Sequence, residues 1–170
     1  MPTVASRLGP LARERPLTSL GLAILAVEIV GASGAVFTAQ GMDGWYAALA
    51  QPAIAPPSWV FAPVWTGLFA LMGTALWLVW RQGPKAPAAV ALGLGVFGVH
   101  MVANLAWSAV FFGLRAIGGA LAVIGVLWLL IVATMGAFAR VDRRASLLLV
   151  PYLAWVSFAA LLNYGFWRLN

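Results

Sequence analysis

Five stretches of the chain are each long and apolar enough to cross a lipid bilayer: Leu17–Gln40, Ser58–Trp80, Ala88–Phe112, Ile117–Ala139 and Ala145–Trp167. A spanning helix takes about 20 mainly apolar residues, and the last four stretches contain no Asp, Glu, Lys or Arg. Charged residues make up 8% of the 170-residue chain and hydrophobic ones 64%. A soluble domain carries roughly 25% charged residues, so most of this surface has to face lipid. In hydrocarbon every backbone group must bond internally, which leaves helices or a closed barrel. Barrel strands would be about 10 residues long with alternating polarity, and these stretches are longer and uniformly apolar. The predicted fold is an all-α membrane protein, a bundle of five transmembrane helices in a single integral membrane domain over residues 1–170.

Three connections are short and one is long. Arg81–Pro87 carries two prolines and a glycine, Gly113–Ala116 is tighter, and Arg140–Arg144 carries four charges. The segment 41–57 is long enough to fold over something, and loops of that size are often functional. The basic residues are unevenly placed. Arg7, Arg13, Arg15, Arg81, Lys85, Arg140, Arg143 and Arg144 fall on one side, and Arg115 and Arg168 on the other. This asymmetry predicts a cytoplasmic N-terminus, with the long loop and the C-terminus outside. It also accounts for the net charge of +6 without a nucleic-acid partner, since the charges form no basic stripe. The N-terminus imitates a signal peptide, with basic residues, an apolar core and small residues at Gly31–Ala35. Glu28 interrupts that core, and the apolar run is long enough to span.

No catalytic constellation is visible. The chain has no Cys and one histidine, His100, which leaves a metal site without ligands and removes thiol chemistry. No carboxylate pair, supported serine nucleophile or phosphate-binding glycine loop is present. Two helical faces are mixed instead. His100, Asn104, Trp107 and Phe111 share one face of the third helix. Their polar members suit either interhelical hydrogen bonding or a polar anchor within a ligand cavity. Tyr152, Trp155, Ala159 and Asn163 share a face of the fifth. Here large rings, a gap at Ala159 and an amide allow a pocket for a flat apolar ligand as well as ordinary packing. Glu28 is the one acid inside a span and a functional suspect on that ground, as a protonated acid or as one reaching a polar cavity. Leu162, Tyr164 and Arg168 fit the short pattern proposed for cholesterol contact, and equally an aromatic anchor with a snorkelling arginine. Ala91, Gly95 and Gly98 permit close helix contact, internal or between two copies.

The runs WYAAL at 45–49, PPSWVFAPVW at 56–65, NLAWSAVFFG at 104–113 and PYLAWVSFAALLNYGFWRLN at 151–170 together resemble the TspO/MBR family. These are the tryptophan-rich sensory and translocator proteins, also called peripheral-type benzodiazepine receptors. The resemblance covers about 130 residues in order. It implies a five-helix bundle, often a homodimer, that binds tetrapyrroles such as protoporphyrin IX and haem, sterols, and synthetic ring ligands, with no obligatory cofactor. Carried over by position, the cavity lining would include Trp65, Asn104, Trp107, Trp155, Ala159 and Asn163, with His100 where the family usually has Gln. Tyr164 and Arg168 would match the sterol motif. Ile54 stands where many members place an aromatic linked to porphyrin chemistry.

Two functions follow as expectations. One is a membrane receptor or carrier that stacks a flat ring between tryptophans, with Asn104 and Asn163 orienting its polar edge and the long loop as lid. The other is an enzyme that degrades porphyrin in light and oxygen. For the lid, Ser58 is expected to cap the second helix. Pro63 is expected to delete the hydrogen bond to the Trp59 carbonyl and bend the helix so that Trp65 points inward.

Overall fold

The computed structural model describes residues 14–170, apart from the side chains of Gln40, Met42 and Asp43; Arg7 and Arg13 lie outside the described residues. Five helical spans are long and apolar enough to cross a membrane: Pro16–Ala39, Ser58–Trp80, Pro87–Gly113, Ile117–Ala139 and Arg143–Leu169. Each boundary falls within two residues of its sequence expectation. Elements within them are α1 (Pro16–Ser33), α2 (Ala35–Gly41), α3 (Phe61–Trp80), α4 (Pro87–Ser108), α5 (Ile117–Ala139), α6 (Arg143–Leu147) and α7 (Val150–Leu169). Prolines stand in the first turn of α1, α4 and α7, where a missing N–H has no intrahelical acceptor to lose.

The third span packs most extensively on the fourth, the first on the second, and the fourth on the fifth. Lipid supplies no hydrophobic drive between helices, so close approach and internal polar bonds must hold them. Gly73 shows the first device. A Cβ there would stand 2.5 Å from the Cα of Ile24, so the first two spans cross almost backbone to backbone. Aromatic and other apolar side chains, among them Met72, Val79, Val90, Phe97, Ile131, Phe138 and Leu149, fill the core. A second cluster, Phe111, Ala120, Leu162 and Phe166, lies under Trp45, Tyr46 and Leu49 at the end that carries the long loop.

The long connection is less of a loop than its composition suggests. Helix continues from α2 through a π-helical turn at Met42–Tyr46 and on to Ala48. The irregular remainder is tied to the end of α7. The backbone N–H of Ala50 donates to Asn170 Oδ1 at 2.9 Å, and Asn170 Nδ2 donates back to the Ala50 carbonyl at 3.3 Å. Pro52 seats on Gly165, where a Cβ would meet its ring at 2.9 Å.

One local expectation needs correction. Ser58 does not cap a helix through its side chain; it opens a 3₁₀ turn, Ser58–Val60, whose bonds run between backbone groups. Pro63 is the third residue of α3, directly after that turn, and has no N–H to donate to the Trp59 carbonyl. At the opposite end, Asp142 caps α6 by accepting from the Arg144 N–H at 2.9 Å. Its carboxyl is held below its ordinary value, chiefly by the Arg144 side-chain hydrogen bond.

Gly73→Ala should lower the stability of the detergent-solubilised protein by about 1–3 kcal/mol through overpacking. Gly95→Ala, whose Cβ would meet nothing within 4 Å, should leave it unchanged; thermal melts followed by circular dichroism separate the two. Asp142→Ala should cost about 1 kcal/mol at pH 7. Because the folded carboxyl titrates below the unfolded one, the deficit should persist at and above neutral pH and vanish as pH falls through the lowered value.

Candidate functional site

A cavity of about 390 Å³ occupies the loop-side half of the bundle. It lies between the first, second, third and fifth spans and within the size range of small-molecule sites, roughly 300–1,000 Å³. Its walls are set by residue size. On the first span Gly31, Ala32, Gly34 and Ala35 line it. These are the small residues that resemble a cleavage site in the sequence; in the fold they let neighbouring spans approach, since a Cβ at Gly31 would strike the Phe69 ring and one at Gly34 would meet Leu105 at 3.3 Å. Across from them stand Phe61, Trp65 and Phe69 of α3, then Trp107, Phe111 and Phe112 of the third span, and Trp155, Ala159, Leu162, Asn163 and Phe166 of α7.

The rings hold one another in place. Trp65 stacks on Phe69 with centroids 5.3 Å apart, and Trp107 stacks on Phe111 at 5.5 Å. Trp155 meets Phe61 edge-on at 6.0 Å. Above them Tyr46 packs on Phe112 at 5.8 Å and on Phe166 at 5.2 Å. The third span ends in a π-helical turn, Ala109–Gly113. Such turns are frequent at functional sites, and this one gives two consecutive rings, Phe111 and Phe112, to the lining. Burial pushes the Tyr46 hydroxyl pKa above its ordinary value, so it stays a neutral donor at physiological pH.

The polar side chains expected to orient a ligand are largely engaged with the protein. Asn104 Nδ2 donates to Tyr152 Oη at 2.9 Å. Trp107 Nε1 donates to Asn163 Oδ1 at 3.1 Å, and Asn163 Nδ2 donates to the Ile117 carbonyl at 3.0 Å. Asn104 and Asn163 therefore line the cavity while tying the third span to the fifth and the fifth to the fourth. The Trp155 Nε1–H is buried and, among the described residues, has no hydrogen-bond partner.

Of the residues singled out in the sequence, Trp65, Asn104, Trp107, Trp155, Ala159 and Asn163 come together around the cavity, and Leu162 joins them. His100 does not line it. It is fully buried against the Tyr152 ring, 5.4 Å between centroids. Its Nδ1 lies 3.4 Å from Thr134 Oγ1, whose own proton goes to the Leu130 carbonyl. Tyr164 and Arg168 lie on the exposed face of α7, apart from Leu162. Ile54 is exposed and outside the lining, and Trp59 is 73% exposed while Trp65 faces the cavity. Among the described residues no group of His, Cys, Asp or Glu could hold a metal ion. The first-span wall went unread in the sequence. Glycine and alanine at 31, 32, 34 and 35, directly after Glu28, are the signal that marks it.

Asn163→Leu should leave the Trp107 N–H unpaired, remove the extra donor to the Ile117 carbonyl and cost about 1–3 kcal/mol of stability. A depressed melting temperature checks this, and an unchanged one would mean that the amide bonds carry no weight.

Comparison with known proteins gives a consistent result. The pattern of the TspO/MBR family matches residues 23–168. The tryptophan-rich protein TspO of Chlorobaculum tepidum is 46% identical over 92% of this chain and 99% of its own length. Protein CrtK of Rhodobacter capsulatus is 36% identical over 91% and 94%. The translocator protein of Bos taurus is 36% identical over 86% of each chain.

Proposed function

The chain belongs to the TspO/MBR family, and from that premise we propose that it is a membrane receptor or carrier for flat, apolar ring ligands of the porphyrin class. The observation that carries this reading is the cavity faced by the rings of Trp65, Trp107 and Trp155. Three indoles supply large apolar area and ring-to-ring contact at little conformational cost. The Trp155 N–H, buried and without a partner among the described residues, would bond one polar edge of a ligand once the ring turns toward the cavity. The loop acts as a cover, fastened by Asn170 and by Pro52 on Gly165. The basic residues at the opposite end, Arg15, Arg81, Lys85, Arg140, Arg143 and Arg144, favour that end as the cytoplasmic one, with the cavity near the outer face. Tyr164 and Arg168 share the lipid-facing side of α7, where a membrane sterol would make contact. Gly95 and Gly98 have open space beside them, so the stripe they form with Ala91 suits a second copy of the chain.

Titration of the purified protein with protoporphyrin IX in the dark, followed by tryptophan fluorescence, tests the reading. The expected result is saturable quenching with Kd below about 100 μM, tighter than roughly −5.5 kcal/mol. Trp155→Ala and Trp65→Ala should each weaken it at least about tenfold, or 1.4 kcal/mol. Linear, unsaturated quenching would reject ring binding. Loss of ring absorbance under illumination, with a defined product and abolished by Trp155→Phe, would favour the degrading enzyme instead.

A further inference from the structure

Of the described residues, Glu28 is the single carboxylate that lines the cavity, and none of the described Lys, Arg or His residues does so. Among the described residues it makes no ion pair and no side-chain hydrogen bond. The neighbouring hydroxyls differ from it: Thr38 donates to the Gly34 carbonyl at 3.4 Å and Thr66 to the Ala62 carbonyl at 3.1 Å. The other ionisable lining group, Tyr46, belongs to the loop end.

The position of Glu28 is as informative as its isolation. Glu28, Ala32 and Ala35 fall at i, i+4 and i+7 and so share one helical face, and all three line the cavity. Ala32 and Ala35 are exposed, as are Ala62 and Thr66 of the second span, and all four line the cavity. The hollow therefore opens sideways between the first two spans, toward lipid. It closes one turn below Glu28, where Gly73 meets Ile24. Glu28 thus stands at the floor of a lateral, lipid-side opening. A carboxylate in such low-dielectric surroundings gains most from an opposite charge or a hydrogen-bond donor brought by the ligand, and a like charge there is repelled.

We propose that Glu28 is a charge-selecting subsite: it receives an ammonium or N–H-donating end of a flat apolar ligand arriving from the bilayer, and it discriminates against a carboxylate in the same place. The proposal rests on the ring-binding reading above and narrows it to rings that carry a basic or donor group at one edge.

The test compares three rings of one skeleton: protoporphyrin IX, its dimethyl ester, and a bis-amide carrying two tertiary amines. Each is titrated into wild-type protein and Glu28→Gln in phosphatidylcholine nanodiscs, with empty nanodiscs as the partition control. Glutamine is near-isosteric, and melting curves check that the variant folds. The expected result is wild-type affinity in the order amine, ester, dicarboxylate, with the amine ring held at least about tenfold more tightly than the dicarboxylate. Glu28→Gln should bring that ratio within about threefold of unity, mainly by weakening the amine ring. Saturable binding of all three rings with no preference in the wild type, or a preference that Glu28→Gln leaves intact, would overturn the charge-selecting role while ring binding stands. Absence of saturable binding by any ring would overturn both.

Discussion

A polar group left without a partner in hydrocarbon costs several kcal/mol, and the architecture of this protein follows from where such groups find partners. The backbone satisfies itself in five helices. The side chains that cannot do so satisfy one another across helices: Asn104 with Tyr152, Trp107 with Asn163, Asn163 with the Ile117 carbonyl, and Trp128 with Ser157 at 2.9 Å. These bonds run among the third, fourth and fifth spans and make them one polar-stitched block. The first two spans are joined by the close crossing at Gly73 and Ile24 and by one bond of the same kind, from the Trp77 Nε1–H to Ser19 Oγ at 3.0 Å. The cavity lies where the two groups of spans meet, between an aromatic wall fixed by hydrogen bonds and a first-span wall of small residues.

The five spans were legible from the sequence because length and absence of charge are enough to define a membrane helix. The inward face of the third helix was legible because His100, Asn104, Trp107 and Phe111 recur at helical spacing. Both roles considered for Asn104 apply, since one amide can line a cavity and bond its Nδ2 to Tyr152. Less was legible where tertiary contacts decide. His100 shares a face with Asn104, yet one helical turn carries it past the floor of the cavity, behind Tyr152. Gly31–Ala35 resemble the small residues of a cleavage site in the sequence, because a cavity wall is defined by what packs beside it, here Phe61, Trp65 and Phe69. The loop read as irregular from its prolines and glycines. A helical continuation and two bonds from Asn170, 120 positions away in sequence, order much of it.

Placing the cavity on the side of the bundle that opens between the first two spans has a mechanistic consequence. A flat apolar molecule already dissolved in the bilayer need not cross the covered end to reach the tryptophans. The fastening of the loop by Asn170 and Pro52 then matters for retention and for separation from the aqueous phase on the loop side. The same cover, with Tyr46 packed against Phe112 and Phe166, keeps water from the polar edge that Trp155 would bind, where a hydrogen bond is worth more than in solvent.

The most direct test of the central claim is a structure of the protein with zinc protoporphyrin, located by the anomalous signal of its metal. A single peak between the first and fifth spans, with the ring against Trp65, Trp107 and Trp155, is the predicted result. A peak on the outer surface of the bundle, with the cavity rings unmoved and no density between them, would contradict it.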